Sequence, residues 1–365
     1  MTSTIHRAAL PRGVSRLIAS LLPVLLVACS GDEPSGPPRD VGTEAGSLAT
    51  GQVPLNDLLS GTYLGFTGGL YPQARNTMPT AHANAGQAQA RAIQPLNVNG
   101  QPSASGKYVL LSIGMSHATQ EFCSQSGAPP CDAWTFMGKA ALDASVNRST
   151  LVLANGAKGG QTALTWDAPS DANYERVRVD VLEAQGLSEK QVQIVWLKAA
   201  NPNPSVSLPA SNADAYQLEA SIGNILRAAK VRYPNLQQVF ISSRSYGGYA
   251  TTTLNPEPYA YESGFAVKWL VEAQIRQKLN GTIDSRAGNL DYSQGVAPWV
   301  AWGPYPWADG LNPRSDGLTW ARADFENDGT HPSTSGESKV GGMILDFFKS
   351  SPHTRCWFLA GQTCP

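Results

Sequence analysis

Four short stretches of the chain are apolar, β-branched and almost free of charge: 108–113, 151–153, 192–197 and 239–241. The longer two are apolar at odd and even positions alike, as strands covered on both faces should be. Between them the apolar spacing lengthens, and it predicts helices over 174–184, 213–231 and 262–279. Strands alternating with helices predict an α/β fold with a doubly wound parallel sheet. A last helix starts at Thr334: Thr334, Ser335, Gly336 and Glu337 fit a capping box, and Val340, Met343, Ile344 and Phe347 then mark one apolar face.

The pattern is different at the start of the chain. After His6, Arg7, Arg12 and Arg16, residues 17–28 form an almost unbroken apolar run. That is shorter than the ~20 residues a membrane-crossing helix needs, and it suits the apolar region of an export signal. Residues 29–54 are rich in Gly, Pro, Ser and Thr and read as a tether. Residues 55–365, with no repeat or low-complexity break, read as one domain with a C-terminal tail. Whether the stretch from Leu55 to Ser105 joins the core or wraps around it is left open by its pattern.

Charge narrows the class. The whole chain carries 27 basic and 28 acidic side chains, and without residues 1–28 the balance is 24 to 28. A small, mixed net charge argues against a nucleic-acid partner. The run into the first cysteine, Leu26-Val27-Ala28-Cys29, resembles the lipobox of bacterial lipoproteins. That resemblance implies lipidation at Cys29 and, because Ser30 rather than an acid follows, sorting to the outer membrane, facing the periplasm or the exterior. Four cysteines remain. In an exported chain the close pairs Cys123 with Cys131 and Cys356 with Cys364 read as disulfides, and their spacing is not that of a zinc site.

In open α/β sheets ligands bind beyond the carboxyl ends of the strands. The first strand is followed by Gly114-Met115-Ser116-His117 and the second by a segment from Asn155 to Thr162 that contains Gly159 and Gly160. The third leads into Asn201-Pro202, and Asp328-Gly329-Thr330-His331 precedes the last helix. A serine hydroxyl needs a base to take its proton, and histidine suits that task near neutrality. Asp328, three residues before His331, is spaced to hold one ring nitrogen while the other faces the serine. Amide donors at Gly160 and Asn201 would meet the charge that develops on a carbonyl oxygen.

These pieces, in this order, resemble the SGNH (GDSL-like) hydrolases. The resemblance implies a flavodoxin-like three-layer α/β/α sandwich with a central parallel sheet. It gives Ser116 the nucleophile's role, Ser116, Gly160 and Asn201 the oxyanion hole, and Asp328 and His331 the rest of the triad. The block from Ala157 to Thr162 is similar to that of the family's carbohydrate esterases. No metal or organic cofactor is implied. Two positions depart from the family pattern: Met115 replaces the acid usually found before the serine, and Pro202 follows Asn201 where an aspartate is usual.

The expected activity is hydrolysis of a carboxylic ester through an acyl-enzyme, with short acyl groups such as acetyl on a carbohydrate preferred over lipid, aryl or peptidoglycan esters. Two rivals stand. Ser243-Arg244-Ser245-Tyr246-Gly247 resembles the nucleophile elbow of α/β-hydrolases, with Ser245 attacking, His331 as base and Asp309, Asp316 or Asp324 as acid. A non-catalytic glycan-binding lipoprotein on a degenerate hydrolase fold is the other, favoured by Met115 and Pro202. His82 and His117 read as structural. Trp299, Trp302, Trp307 and Trp320, interleaved with prolines, read as a long loop that either stacks on sugar rings or fills its own small core. Oligomeric state is not legible.

Overall fold

The computed structural model describes residues 49–124 and 129–364. Its centre is a five-stranded sheet: β1 (Tyr108–Gly114), β2 (Leu151–Asn155), β3 (Val192–Lys198), β4 (Gln238–Ile241) and β5 (Trp299–Trp302). All pairings are parallel and the spatial order is β2-β1-β3-β4-β5. In this flavodoxin-like order the chain leaves β1 for β2 on one side and returns to β3 on the other. The crevice at the carboxyl end of β1 is therefore the place where a ligand site is expected.

Beside two four-residue helices at Leu55–Leu58 and Arg355–Phe358, the helices are α1 (Thr80–Ala92), α2 (Ser116–Phe122), α3 (Phe136–Leu142), α4 (Ala172–Arg176), α5 (Asp214–Arg232), α6 (Tyr259–Asn280) and α7 (Thr334–Ser350). Helices α5 and α6 pack on each other, and α7 packs on α2 and α3. The two groups flank the sheet and complete a three-layer α/β/α fold. The strand residues of β1, β3, β4 and β5 are all buried, which accounts for the apolar reading of β1, β3 and β4, with Gln193, Lys198 and Gln238 among the buried polar exceptions.

Several sequence expectations are corrected by the coordinates. The fifth strand was hidden in the tryptophan-proline stretch: Trp299 and Trp302 bound β5. Trp299, Trp307 and Trp320 are fully buried and Trp302 nearly so, so these rings belong to the core and offer no sugar platform. The helix predicted over 174–184 begins at Ala172 and widens into a π-helical turn over Val177–Leu182. The capping box at Thr334 does not form. Ser333 is the N-cap residue, without a side-chain capping bond, and Glu337 instead accepts from the Trp134 indole N–H at 2.6 Å.

The segment before β1 belongs to the core. Leu55, Tyr71, Ala90 and Leu96 are buried in it, and α1 lies so close to β5 that a Cβ on Gly86 would come within 2.3 Å of the Trp299 ring. Thr50 and Gly51 donate to the Asp309 carboxylate, so the described end of the expected tether lies against this body. Both disulfides, Cys123–Cys131 and Cys356–Cys364, are formed. The expected signal over 1–28 and the lipidation at Cys29 lie outside the described residues. Among the described residues no helix is long and apolar enough to cross a membrane.

Candidate active site

The position of Ser116 is set by Gly114, the last residue of β1. A Cβ there would lie 2.0 Å from the Lys198 carbonyl oxygen, so only glycine lets the ends of β1 and β3 run this close. Met115 stays extended and Ser116 opens α2. On the other side, the chain turns through Asp328-Gly329-Thr330-His331 before α7. The Asp328 Oδ1 accepts the backbone N–H groups of Thr330 and His331, both at 2.9 Å, which fixes the carboxylate inside its own loop.

The two segments meet. His331 Nδ1 lies 2.5 Å from Asp328 Oδ2, and His331 Nε2 lies 2.9 Å from Ser116 Oγ. Burial pushes the Asp328 carboxyl up, but the bonds from the His331 ring and the two amides outweigh it and hold it below the ordinary carboxylate range. An ionised Asp328 keeps the ring proton on Nδ1, which leaves Nε2 free to accept from the serine hydroxyl. About a quarter of each of these two side chains is exposed, so the pair is open to solvent and substrate.

Gly160 and Asn201 are less tightly joined to this centre. Gly160 is exposed, takes a left-handed φ of +76°, and has nothing within 4 Å of where a Cβ would stand. At Gly159 that position lies 3.8 Å from the Ser116 Cβ, so the two-glycine turn passes beside the serine. Asn201 is buried, its Nδ2 donates to the Asp214 carbonyl at 3.2 Å, and its Oδ1 has no partner. Among the described residues, neither is hydrogen-bonded to Ser116.

A network that the sequence reading missed secures the glycine turn. Ser112 Oγ donates to Asn155 Oδ1 at 2.5 Å, Asn155 Nδ2 donates to Thr119 Oγ1 at 2.7 Å, and the Ala157 N–H donates back to Ser112 Oγ at 3.2 Å. It ties β1, β2 and α2 into one unit. Ser112 stands inside a continuous apolar strand, and a polar residue there is the signal that could have pointed to it.

A second missed cluster lies behind the serine. Lys198 and Glu121 form a fully buried ion pair at 2.6 and 2.8 Å. Burial pushes the Glu121 carboxyl up and the Lys198 ammonium down, each opposed by the other's charge. The His117 ring lies 5.6 Å from that of His331. Burial, then the charges of Arg244 and Lys198, keep His117 well below the usual histidine range and therefore neutral.

Ser245 is buried in the same cluster, where its Oγ accepts from Lys198 Nζ at 3.2 Å. The three acids considered for it are engaged elsewhere. Asp309 takes Thr50 and Gly51, Asp316 pairs with Arg314, and Asp324 pairs with Lys339. His331 bonds to Ser116.

The chain is similar to SGNH hydrolases of known structure. A GDSL-like lipase from Parabacteroides merdae is 16% identical, over 70% of this chain and 97% of that one, with a TM-score of 0.36. An acetylxylan esterase from Geobacillus stearothermophilus is 15% identical, over 65% and 92%, with a TM-score of 0.35. An extracellular lipase from Streptomyces rimosus is 12% identical, over 66% and 98%, with a TM-score of 0.31. No family model and no curated protein matches.

Proposed function

We propose that this protein is an SGNH-type serine esterase, and the observation that carries the reading is the 2.9 Å contact from His331 Nε2 to Ser116 Oγ, with Asp328 on the ring's far side. His331 takes the hydroxyl proton as Ser116 attacks the ester carbonyl. The tetrahedral oxyanion is received by the amides of Ser116 and Gly160 and by the second N–H of Asn201 Nδ2, preorganised donors of the sort worth ~10²–10³ in rate each. The imidazolium then gives its proton to the leaving alcohol, and water repeats the sequence to release the acid. Only the protein's own groups move protons in this scheme.

The substrate we favour is a short acyl ester on a carbohydrate. The block from Ala157 to Thr162 supports it, together with the exposure of Lys158, Gly159 and Gly160, which leaves the glycine turn open to a large alcohol component. An envelope location, reached through the signal over 1–28 and lipidation at Cys29, would present the site to such polymers.

A fluorophosphonate probe tests the nucleophile. Labelling at Ser116, abolished in Ser116→Ala, is the expected result. A label on Ser245 would return the reading to an α/β-hydrolase elbow, and no label at all would return it to a glycan-binding protein. Comparing p-nitrophenyl acetate with longer acyl chains tests the substrate: the rate should fall as the chain lengthens.

A further inference from the structure

Met115 and Pro202 raise a question about what supports the nucleophile turn, since the acid usual before such a serine is absent. Arg244 answers for Met115. It follows β4, is 3% exposed, and its backbone N–H is fastened to Ser263 Oγ at 3.0 Å. Its Nη1 lies 3.7 Å from the Met115 Sδ, and its Nη2 lies 3.2 Å from His117 Nε2 and 3.3 Å from the Leu254 carbonyl oxygen. One planar group therefore touches the residues on both sides of Ser116 and grips a third strand of chain from behind.

The chemistry fits a guanidinium and little else. Three neutral acceptors in different directions around one plane match its fixed fork, which a lysine's single ammonium cannot reproduce. His117, kept neutral by burial and by the neighbouring cations, offers Nε2 as an acceptor and carries its proton on Nδ1. Arg244 itself stays charged: burial lowers it only to about 10, with Glu121, Glu257 and Asp328 opposing. Its Nε makes no hydrogen bond, so the group is held from the fork end, where it meets the nucleophile turn.

We propose that Arg244 is a positioning residue for the nucleophile, a buried cation that clamps Met115 and His117 and so holds the Ser116 hydroxyl against His331. Its catalytic meaning rests on the esterase reading; the clamp itself does not. Without the guanidinium the two flanking side chains lose a common anchor, and the serine turn gains freedom. A displacement of about 1 Å at such a position costs on the order of 10² in rate.

The test pairs Arg244→Ala with Arg244→Met, which keeps most of the volume, and follows both by crystallography, thermal unfolding and fluorophosphonate labelling. In both variants the Ser116 Oγ should move out of hydrogen-bond range of His331. Labelling should slow about 10²-fold at an unchanged half-saturating probe concentration. Free guanidinium, added to the alanine variant well below concentrations that unfold the wild type, should restore both the contact and the rate. A purely structural role predicts lower stability with no rescue. An unmoved Ser116 in the methionine variant, or a rate that guanidinium leaves unchanged, overturns the proposal. If the wild type itself takes no label, the esterase reading falls, and the Ser116–His331 distance in the variants still decides the clamp.

Discussion

At Gly329 the chain turns with φ +65°, and a Cβ would stand 1.8 Å from the Tyr249 carbonyl oxygen. The turn that lets Asp328 bond the amides of Thr330 and His331 is therefore closed to any larger residue. Gly329→Ala should cost about 1–3 kcal/mol of stability and should lower kcat more than it raises KM, because it displaces the base rather than the substrate. Steady-state kinetics beside urea unfolding separates the two effects. Asp328→Asn keeps the shape but lets the ring take the wrong tautomer, and kcat should fall on the order of 10⁴-fold, with some loss of stability because the charge favoured by the ring and the two amides is gone. The Ser116, Asp328 and His331 arrangement was legible in the sequence because these residue types stand beside recognisable elements, Ser116 after β1 and Asp328 three residues before His331 ahead of α7. Arg244 was not legible. It acts from 128 positions beyond Ser116, and nothing local distinguishes a buried arginine in a glycine-rich loop from a solvent-facing one.

Among the elements, α2 carries Ser116 at one end and the Cys123–Cys131 bridge at the other. Closing so short a loop is worth about 2–3 kcal/mol by chain entropy. Replacing both cysteines by alanine should lower the urea-unfolding free energy by that amount, while kcat stays within a fewfold of wild type because Ser116 is anchored from β1 and Gly114. A parallel collapse of kcat would show that the bridge also sets the serine. Strands β1 and β3 were readable because apolar residues fall on both faces over most of each strand, which leaves few alternatives. Strand β5 was not. Its four residues are flanked by prolines and large rings, and such a stretch reads as an irregular loop until its neighbour β4 is seen beside it.

For the molecule as a whole, titration should reveal a set of buried acids. Burial raises Glu219, Glu257, Glu262 and Glu337 from 4.5 to about 7, with neighbouring carboxylates adding to Glu219 and hydrogen-bond donors opposing in the other three. The folded state then binds protons that the unfolded chain has released. The stability this contributes is fully present below pH 4.5 and is lost as pH rises through 7. The melting temperature should be higher at pH 5.5 than at pH 8. Glu219, whose Oε2 has no hydrogen-bond partner, is the cleanest probe. Glu219→Gln should raise stability at pH 8 by roughly 1–3 kcal/mol and change little at pH 5. Equal effects at both values would show that the carboxyl stays ionised. None of this could be read from the sequence, since a glutamate on an amphipathic helix looks solvent-facing until the opposite layer is in place.

The outer side of β5 has its hydrogen-bonding groups already taken. Gln274 from α6 donates to the Pro298 carbonyl at 2.9 Å and accepts the Val300 N–H at 2.9 Å, while His82 Nε2 meets the Val300 carbonyl at 2.8 Å. Two side chains stand where a sixth strand would lie. A stray extended peptide arriving at this border finds no ladder to extend, so the fold is insulated there against recruiting copies of itself in a crowded compartment. The His82 ring needs only its Nε2 proton for that bond, which it carries whether neutral or charged, so the insulation does not depend on pH. Stripping it with His82→Ala and Gln274→Ala together would convert a closed border into a template, visible as turbidity that grows with protein concentration.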